Sequence, residues 1–304
     1  MAEDRIRAGV IGLGDIATKA YLPVLATRAD VELRLCTRDR QTLDAVAARF
    51  RAGHRYADVA ELVAAGLDAA FVHVATPAHA EIVSRLLDAG VPTYVDKPLA
   101  SDLVTCTELV ERAASRNCSL FVGFNRRYAP IYRELRDTAT SLVFMQKNRV
   151  GLANVPRHVV FDDFVHVVDT LKFLAPQAEL TDVQCVRAGA NLDALVISMA
   201  GGGTAAIGAM NRNGGHAQEI VETHGPGRRR VVHDMAMLDD FRDGAHVVVR
   251  RSDWTPVHVQ RGFDAICTHF LDAVRNGQLL DAGDALRTHE MCERIVAEVD
   301  GLPK

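Results

Sequence analysis

The sequence predicts an α/β fold: a doubly wound parallel sheet in the N-terminal part, then an α+β part with a mainly antiparallel, open sheet. Three observations carry this. The first apolar run ends in a glycine turn, Gly12-Leu13-Gly14-Asp15-Ile16-Ala17, which opens straight into a helical pattern. Strand and helix patterns then alternate as far as residue 122. Beyond Gly123, strand patterns follow one another through Gly, Asn and Pro turns with little helix between.

The first part reads in order as a strand over Arg5–Ile11, a helix over Ile16–Arg28, a strand over Val31–Cys36 and a helix over Gln41–Arg51. Asp68–Ala75 is an apolar strand of the buried, parallel kind, and Ala78–Ala89 a helix closed by Gly90. Thr93–Val95 is a strand leading to Asp96-Lys97-Pro98. Asp102–Asn117 is helical and Ser119–Val122 closes the set. Ligands on such sheets bind at the carboxyl ends of the strands, so Gly12, Thr37, Thr76, Asp96 and Gly123 should line one crevice. In the glycine turn, Gly12 allows the sharp fold, Gly14 the approach to a diphosphate, and Ala17 the packing of helix on strand. A plain tight turn is the alternative.

Later strands are expected over Leu142–Arg149, Thr181–Ala188, Ala194–Ala200, Thr204–Arg212, Gln218–His224, Arg229–Asp234 and His246–Arg250. Helices are expected over Phe161–Leu174, Gly262–Asn276 and Ala282–Val299. The boundary falls near Phe121–Asn125, giving domains 1–122 and 123–304.

With 304 residues, 48% of them hydrophobic and 24% charged, the chain can bury two cores. A net charge of −4 argues against a nucleic-acid partner; Arg228-Arg229-Arg230 reads as a solvated turn. Six scattered cysteines without a C-x-x-C pair fit reduced thiols in a cytoplasm, and no ligand spacing indicates a metal. No apolar stretch reaches membrane-spanning length, and the N-terminus lacks a signal core.

Three further stretches bear chemistry. Lys97 lies between Asp96 and Pro98 at a strand end: a lysine poised over the crevice, or a surface loop residue. On a helix, Asp162 and His166 share a face. A carboxylate beside an imidazole suits a general base, whereas the alternative is a capped helix start with a satisfied buried histidine. Gly123-Phe124-Asn125-Arg126-Arg127-Tyr128 enters the second part. Its arginines either hold a polar or anionic substrate or brace the joint by ion pairs.

These motifs together, in this order and over essentially the whole chain, resemble the Gfo/Idh/MocA oxidoreductase family, closest to its short bacterial MviM-like branch. Phe71-Val72-His73, Asp96-Lys97-Pro98-Leu99-Ala100, Val122–Arg127 and Asp162–Thr170 look like that branch. The resemblance implies a Rossmann domain binding NAD(P), an α+β substrate domain and the substrate between them. The chain would be an oxidoreductase acting on a hydroxyl carbon of a sugar, polyol or related small polar molecule.

It also implies site residues. Lys97 would polarise the reacting oxygen, His166 take the hydroxyl proton and Asp162 orient His166. Gly12, Leu13, Gly14, Asp15, Ile16, Thr37, Arg38, Thr76, Asp96 and Lys97 would bind cofactor; Asn125, Arg126, Tyr128, Asp162 and His166 would meet substrate. The family's usual glutamate before the lysine is Asp96 here, and the turn after Ala75 looks about two residues shorter than the common form. The double glycine often found before the aspartate is missing between Val150 and Phe161.

After strand two stand Cys36-Thr37-Arg38-Asp39-Arg40, so Thr37 and Arg38 suit a 2′-phosphate and NADP is favoured over NAD. Asp39 is an acceptor only if that strand ends later. Alternating Leu195, Ile197 and Met199 suggest a sheet covered by helices on one face and by a second copy on the other, hence a homodimer or homotetramer. The alternatives are a nucleotide-binding sensor without turnover and cofactor-assisted lyase or glycosidase chemistry on the same fold.

Overall fold

Short apolar runs alternating with helices build most of the first sheet. In the computed structural model, which describes residues 5–136 and 140–302, its six strands are β1 (Ile6–Ile11), β2 (Val31–Cys36), β3 (His54–Tyr56), β4 (Ala69–Val72), β5 (Thr93–Asp96) and β6 (Leu120–Gly123). All pair in parallel, in the order β3-β2-β1-β4-β5-β6. The order reverses between β1 and β4, and a crevice opens at the carboxyl ends of strands at such a point. Every residue of β4 is buried, as covering by helices on both faces requires.

Aspartates cap three of the helices between these strands. Asp39 takes the Thr42 amide ahead of Arg40–Phe50, Asp58 the Ala60 amide ahead of Val59–Ala64, and Asp102 the Thr105 amide ahead of Leu103–Ser115. The helix expected over Ile16–Arg28 differs from that reading. Ala17–Tyr21 is a π-turn, and the helix ends at Leu25. Pro23 lacks an N–H and its ring crowds the carbonyl four residues back, which favours widening of the preceding turn.

Residues up to Gly123 form one compact unit together with Phe263–Leu286; Phe124–Gly262 and the residues from Arg287 form the other. The helix Phe263–Arg275 therefore belongs with the parallel sheet, although it stands 140 residues after it in the chain. Its apolar face supplies Phe270, edge-on to Phe71 at 5.2 Å, and Phe263, edge-on to Tyr21 at 5.1 Å. The Leu120 amide donates to Leu280 O at 3.1 Å.

The second unit holds an eight-stranded sheet: β7 (Leu142–Asn148), β8 (Glu179–Ala188), β9 (Asn191–Gly201), β10 (Thr204–Asn211), β11 (Gln218–Gly225), β12 (Arg228–His233), β13 (Met237–Arg242) and β14 (Ala245–Arg250). The order is β14-β13-β12-β11-β7-β10-β9-β8. It is mixed: β7 and β10 run parallel, and every other pair is antiparallel. The helix Val165–Leu174 lies over β7 and β10, where Gly208 leaves room for Val167 and Leu171. Leu195, Ile197 and Met199 are fully buried, while Val196 on the opposite face is 37% exposed. No helix among the described residues is long and apolar enough to cross a membrane.

Candidate active site

Each unit carries part of the candidate set. In the first, β1 ends at Ile11 and the Gly12 amide donates to Cys36 O at 2.9 Å. Gly12 has φ of +87°, and a Cβ there would lie 2.7 Å from the backbone of His73 and Val74. Glycine is required twice over, by conformation and by the close approach of the end of β4. Gly14 is different, since an added Cβ would meet nothing within 4 Å. The helix opens at Asp15, and no side chain caps the turn at Ile16. Open space beside Gly14 and uncapped helix amides fit a dinucleotide diphosphate. Leu13 is buried under this turn; Asp15 and Ile16 are exposed on it.

β2 ends at Cys36, with Thr37 half-buried and Arg38 exposed beyond it. The Asp39 carboxylate accepts the Thr42 amide at 2.7 Å as a helix cap, so the acidic residue next to Arg38 in the chain already has a partner. Thr76 opens the short 3₁₀ turn Thr76–Ala78 after β4.

Asp96 closes β5 and anchors a buried network. Its carboxylate accepts from Tyr21 Oη at 2.7 Å and contacts His73 Nδ1 at 2.8 Å; Tyr21 and Tyr94 hydroxyls meet at 2.8 Å. Burial alone would raise the Asp96 pKa, but His73 and Tyr21 outweigh it and hold the carboxyl below its usual range. Lys97 follows, half-buried, and the Lys97–Pro98 peptide is cis. His79 braces the next residue: Nδ1 lies 2.9 Å from Pro98 O and Nε2 3.0 Å from Val74 O. Burial pushes its pKa down, which favours the neutral ring. Lys97 thus extends from a segment fixed on both sides.

In the second unit, Val159–Phe164 is a π-turn running into the helix Val165–Leu174. From Asp163 to Leu171 every residue is buried except His166, which is partly open. Asp162 is exposed, its Oδ2 4.0 Å from His158 Nε2. Asp169 is buried and takes a two-point ion pair from Arg127 at 2.6–3.0 Å.

The residues after Gly123 are held within the second unit. Asn125 Nδ2 donates to Arg261 O at 2.8 Å. Arg126 is buried and gives two hydrogen bonds to Glu219, at 2.9 and 2.6 Å, an ion pair within the second unit. Tyr128 is half-buried, and burial pushes its phenol up to about 12.

Sequence reasoning missed a charged network around these residues. Tyr132 Oη donates to Glu219 at 2.9 Å, and Lys147 Nζ lies 3.4 Å from Glu219 and 3.3 Å from Asp163. Arg149 and Arg212 both bind Asp163. Lys147 had a readable signal, a cation in alternation with buried Val143 and Met145 on β7. His73 and Tyr21 had none, because their partner is 23 and 75 residues away.

Residues 6–124 match the family described as "Oxidoreductase family, NAD-binding Rossmann fold" (GFO_IDH_MocA). YceM of Salmonella typhimurium is 36% identical over 291 residues, 89% of this chain and 90% of that protein. The crystal structure of a Gfo/Idh/MocA family oxidoreductase from Vibrio cholerae is 33% identical, with a TM-score of 0.91, over 97% of this chain and 98% of that one. The dehydrogenase MviM from Clostridium difficile is 28% identical, with a TM-score of 0.90, over 96% and 99%. A shorter match, inositol 2-dehydrogenase 3 of Saccharopolyspora erythraea, is 30% identical over 195 residues, 60% of this chain and 57% of that protein.

Proposed function

This chain belongs to the Gfo/Idh/MocA oxidoreductase family, and on that premise we propose that it is an NAD(P)-dependent dehydrogenase acting on a hydroxyl-bearing carbon of a sugar, polyol or related small polar molecule. The observation that carries this reading is His166, the one partly open residue in a helical run otherwise buried. A structural histidine would be closed off with its neighbours; a general base has to be reachable. The likeness to an inositol 2-dehydrogenase supports a polyol-type substrate.

When bound, the nicotinamide supplies or accepts the hydride. The backbone amides of the turn after Gly12, Leu13 to Ile16, would hold the diphosphate. An imidazole nitrogen of His166 takes the proton from the substrate hydroxyl, and Asp162 favours the protonated ring that results. The Lys97 ammonium stabilises developing negative charge on the reacting oxygen. Asp96, fixed by Tyr21 and His73, holds the backbone from which Lys97 extends.

NADP is the favoured form. With Asp39 engaged as a helix cap and Arg38 exposed, the end of β2 offers a cation to a 2′-phosphate. A homodimer or homotetramer belongs to the same proposal: β14 is exposed at every residue, including Val247, Val248 and Val249, and a second copy would cover it.

The test is nicotinamide reduction across a sugar and polyol panel with the wild type, Lys97→Ala and His166→Ala. Turnover by the wild type, abolished in both variants with cofactor dissociation constants within about threefold, is expected. Near-normal turnover in both variants overturns the assignment.

A further inference from the structure

One end of the mixed sheet holds an unusual balance of charge. Asp163 is contacted by three cations: Lys147 at 3.3 Å, Arg149 at 2.6 and 2.7 Å, and Arg212 at 2.5 Å. The other carboxylate buried there, Glu219, is matched by Arg126 and shares Lys147. Four cations therefore surround two carboxylates. Lys147, Arg126 and Arg212 are each less than a tenth exposed, while Arg149 is 34% exposed. Asp162, Asp193 and Asp234 are further carboxylates on the neighbouring segments, and the Asp193 carbonyl takes the Arg212 amide at 2.7 Å. Asp162 and Asp234 are exposed, Asp234 with one oxygen on the Glu219 amide, and Asp193 is half-buried with its carboxylate on the Asn213 side chain.

Like charges do not gather at a buried site without a reason. The two guanidinium groups converge on the same atom, Oδ2 of Asp163. Arg149 uses Nε and Nη2 for Asp163, and Arg212 uses Nε for Leu152 O and Nη1 for Asp163. Nη1 of Arg149 and Nη2 of Arg212 donate to no protein atom among the described residues. Burial, reinforced by Arg126, pushes Lys147 down to about 8, as expected where positive charge is in excess. Asp163 stands three residues before His166, so the two are neighbours along one helical run.

We propose that Arg149 and Arg212 form an anion subsite, and that the substrate is an acidic sugar or polyol whose carboxylate or phosphate these residues bind. This rests on the dehydrogenase reading above. The substrate anion supplies the negative charge that the cluster lacks and orients the hydroxyl-bearing part toward His166. Arg149, at the open edge, makes the first contact; Asp163 and Lys147 hold the two guanidinium groups in place.

The test is calorimetric binding to the full chain with NADP present, using inorganic phosphate, gluconate and neutral myo-inositol as probes, on wild type and Arg149→Gln. Arg149→Gln keeps a donor and removes the charge, and an unchanged cofactor dissociation constant reports that it is folded. At least tenfold tighter binding of phosphate or gluconate than of myo-inositol is expected, weakening with salt and lost by tenfold or more in Arg149→Gln. Preference for phosphate over gluconate identifies the anion as phosphate, and the reverse as carboxylate. Equal binding of charged and neutral probes, or an equal effect of Arg149→Gln on both, overturns the subsite. Anion binding without turnover of any sugar leaves the subsite standing and removes the dehydrogenase reading. Turnover of neutral sugars alone, indifferent to Arg149→Gln, does the opposite.

Discussion

The phenol of Tyr21 donates to the carboxylate of Asp96 across 2.7 Å, tying the π-turn after the glycine loop to the end of β5. Tyr21 is buried and Asp96 half-buried, and Tyr94 and His73 extend the network on either side. Tyr21→Phe keeps the ring against His73 and Phe263 and deletes two hydrogen bonds, one to the Asp96 carboxylate and one to the Tyr94 hydroxyl. It should lower stability by about 1.5–3 kcal/mol in denaturant unfolding. Because Asp96 precedes Lys97, kcat should fall by roughly tenfold while the cofactor dissociation constant barely moves. A variant that loses stability but keeps kcat would show that the network serves the fold alone.

The two glycines of the turn should fail in different ways. Gly12→Ala sets a Cβ against the His73 and Val74 backbone at positive φ, so both melting temperature and cofactor affinity should fall. Gly14→Ala meets nothing in the protein, so its melting temperature should stay within about two degrees of wild type. Its cofactor affinity should still drop by about tenfold, because the new methyl occupies the space assigned to the diphosphate. Unimpaired binding by Gly14→Ala would place the diphosphate elsewhere.

Much of this architecture could be read from local pattern. Every strand of the first sheet except His54–Tyr56 showed an apolar run, because both faces of a parallel sheet are covered. β13 escaped because Asp239 and Asp240 interrupt its alternation; only pairing shows that they meet Arg228, His233 and His246 on neighbouring strands. The return of Phe263–Leu286 to the first unit had no local signal either. The same divide runs through the site. Gly12, Lys97 and His166 sit in motifs a few residues long, whereas the Arg126–Glu219 pair spans 93 residues. Sequence pattern singled out Asp162, yet its neighbour Asp163 is the buried one, held well below the usual carboxyl range by Arg149, Lys147 and Arg212 despite its burial.

Cofactor choice should depend on Arg38. Its side chain is exposed just past β2, and Asp39 is engaged with the Thr42 amide. Arg38→Ala should raise the NADP dissociation constant about tenfold and leave that of NAD within about twofold, as loss of one charge-assisted contact to a phosphate predicts. Fluorescence titration with both cofactors measures it. Wild-type binding of NAD tenfold tighter than NADP would show that the end of β2 does not read the 2′ position this way.

The Arg126–Glu219 pair should set the acid limit of the fold. Burial raises the Glu219 pKa on its own, but Arg126, Lys147 and Tyr132 outweigh it and bring it from an ordinary 4.5 to about 2. A carboxyl depressed in the folded state contributes stability that is complete above its unfolded pKa and lost as pH falls through the folded one. That window runs here from about 4.5 down to about 2. Glu219→Gln leaves Arg126 buried without a counter-charge, so stability at neutral pH should fall by roughly 3–5 kcal/mol. The same variant should lose part of the wild type's decline in stability between those two pH values, because the titrating group is gone. A double variant, Arg126→Met with Glu219→Leu, removes both charges and should recover much of the neutral-pH loss. Urea unfolding of the three proteins across that pH range measures all of this. Identical acid profiles for wild type and Glu219→Gln would mean that another carboxyl, with Asp163 first in line, governs acid unfolding.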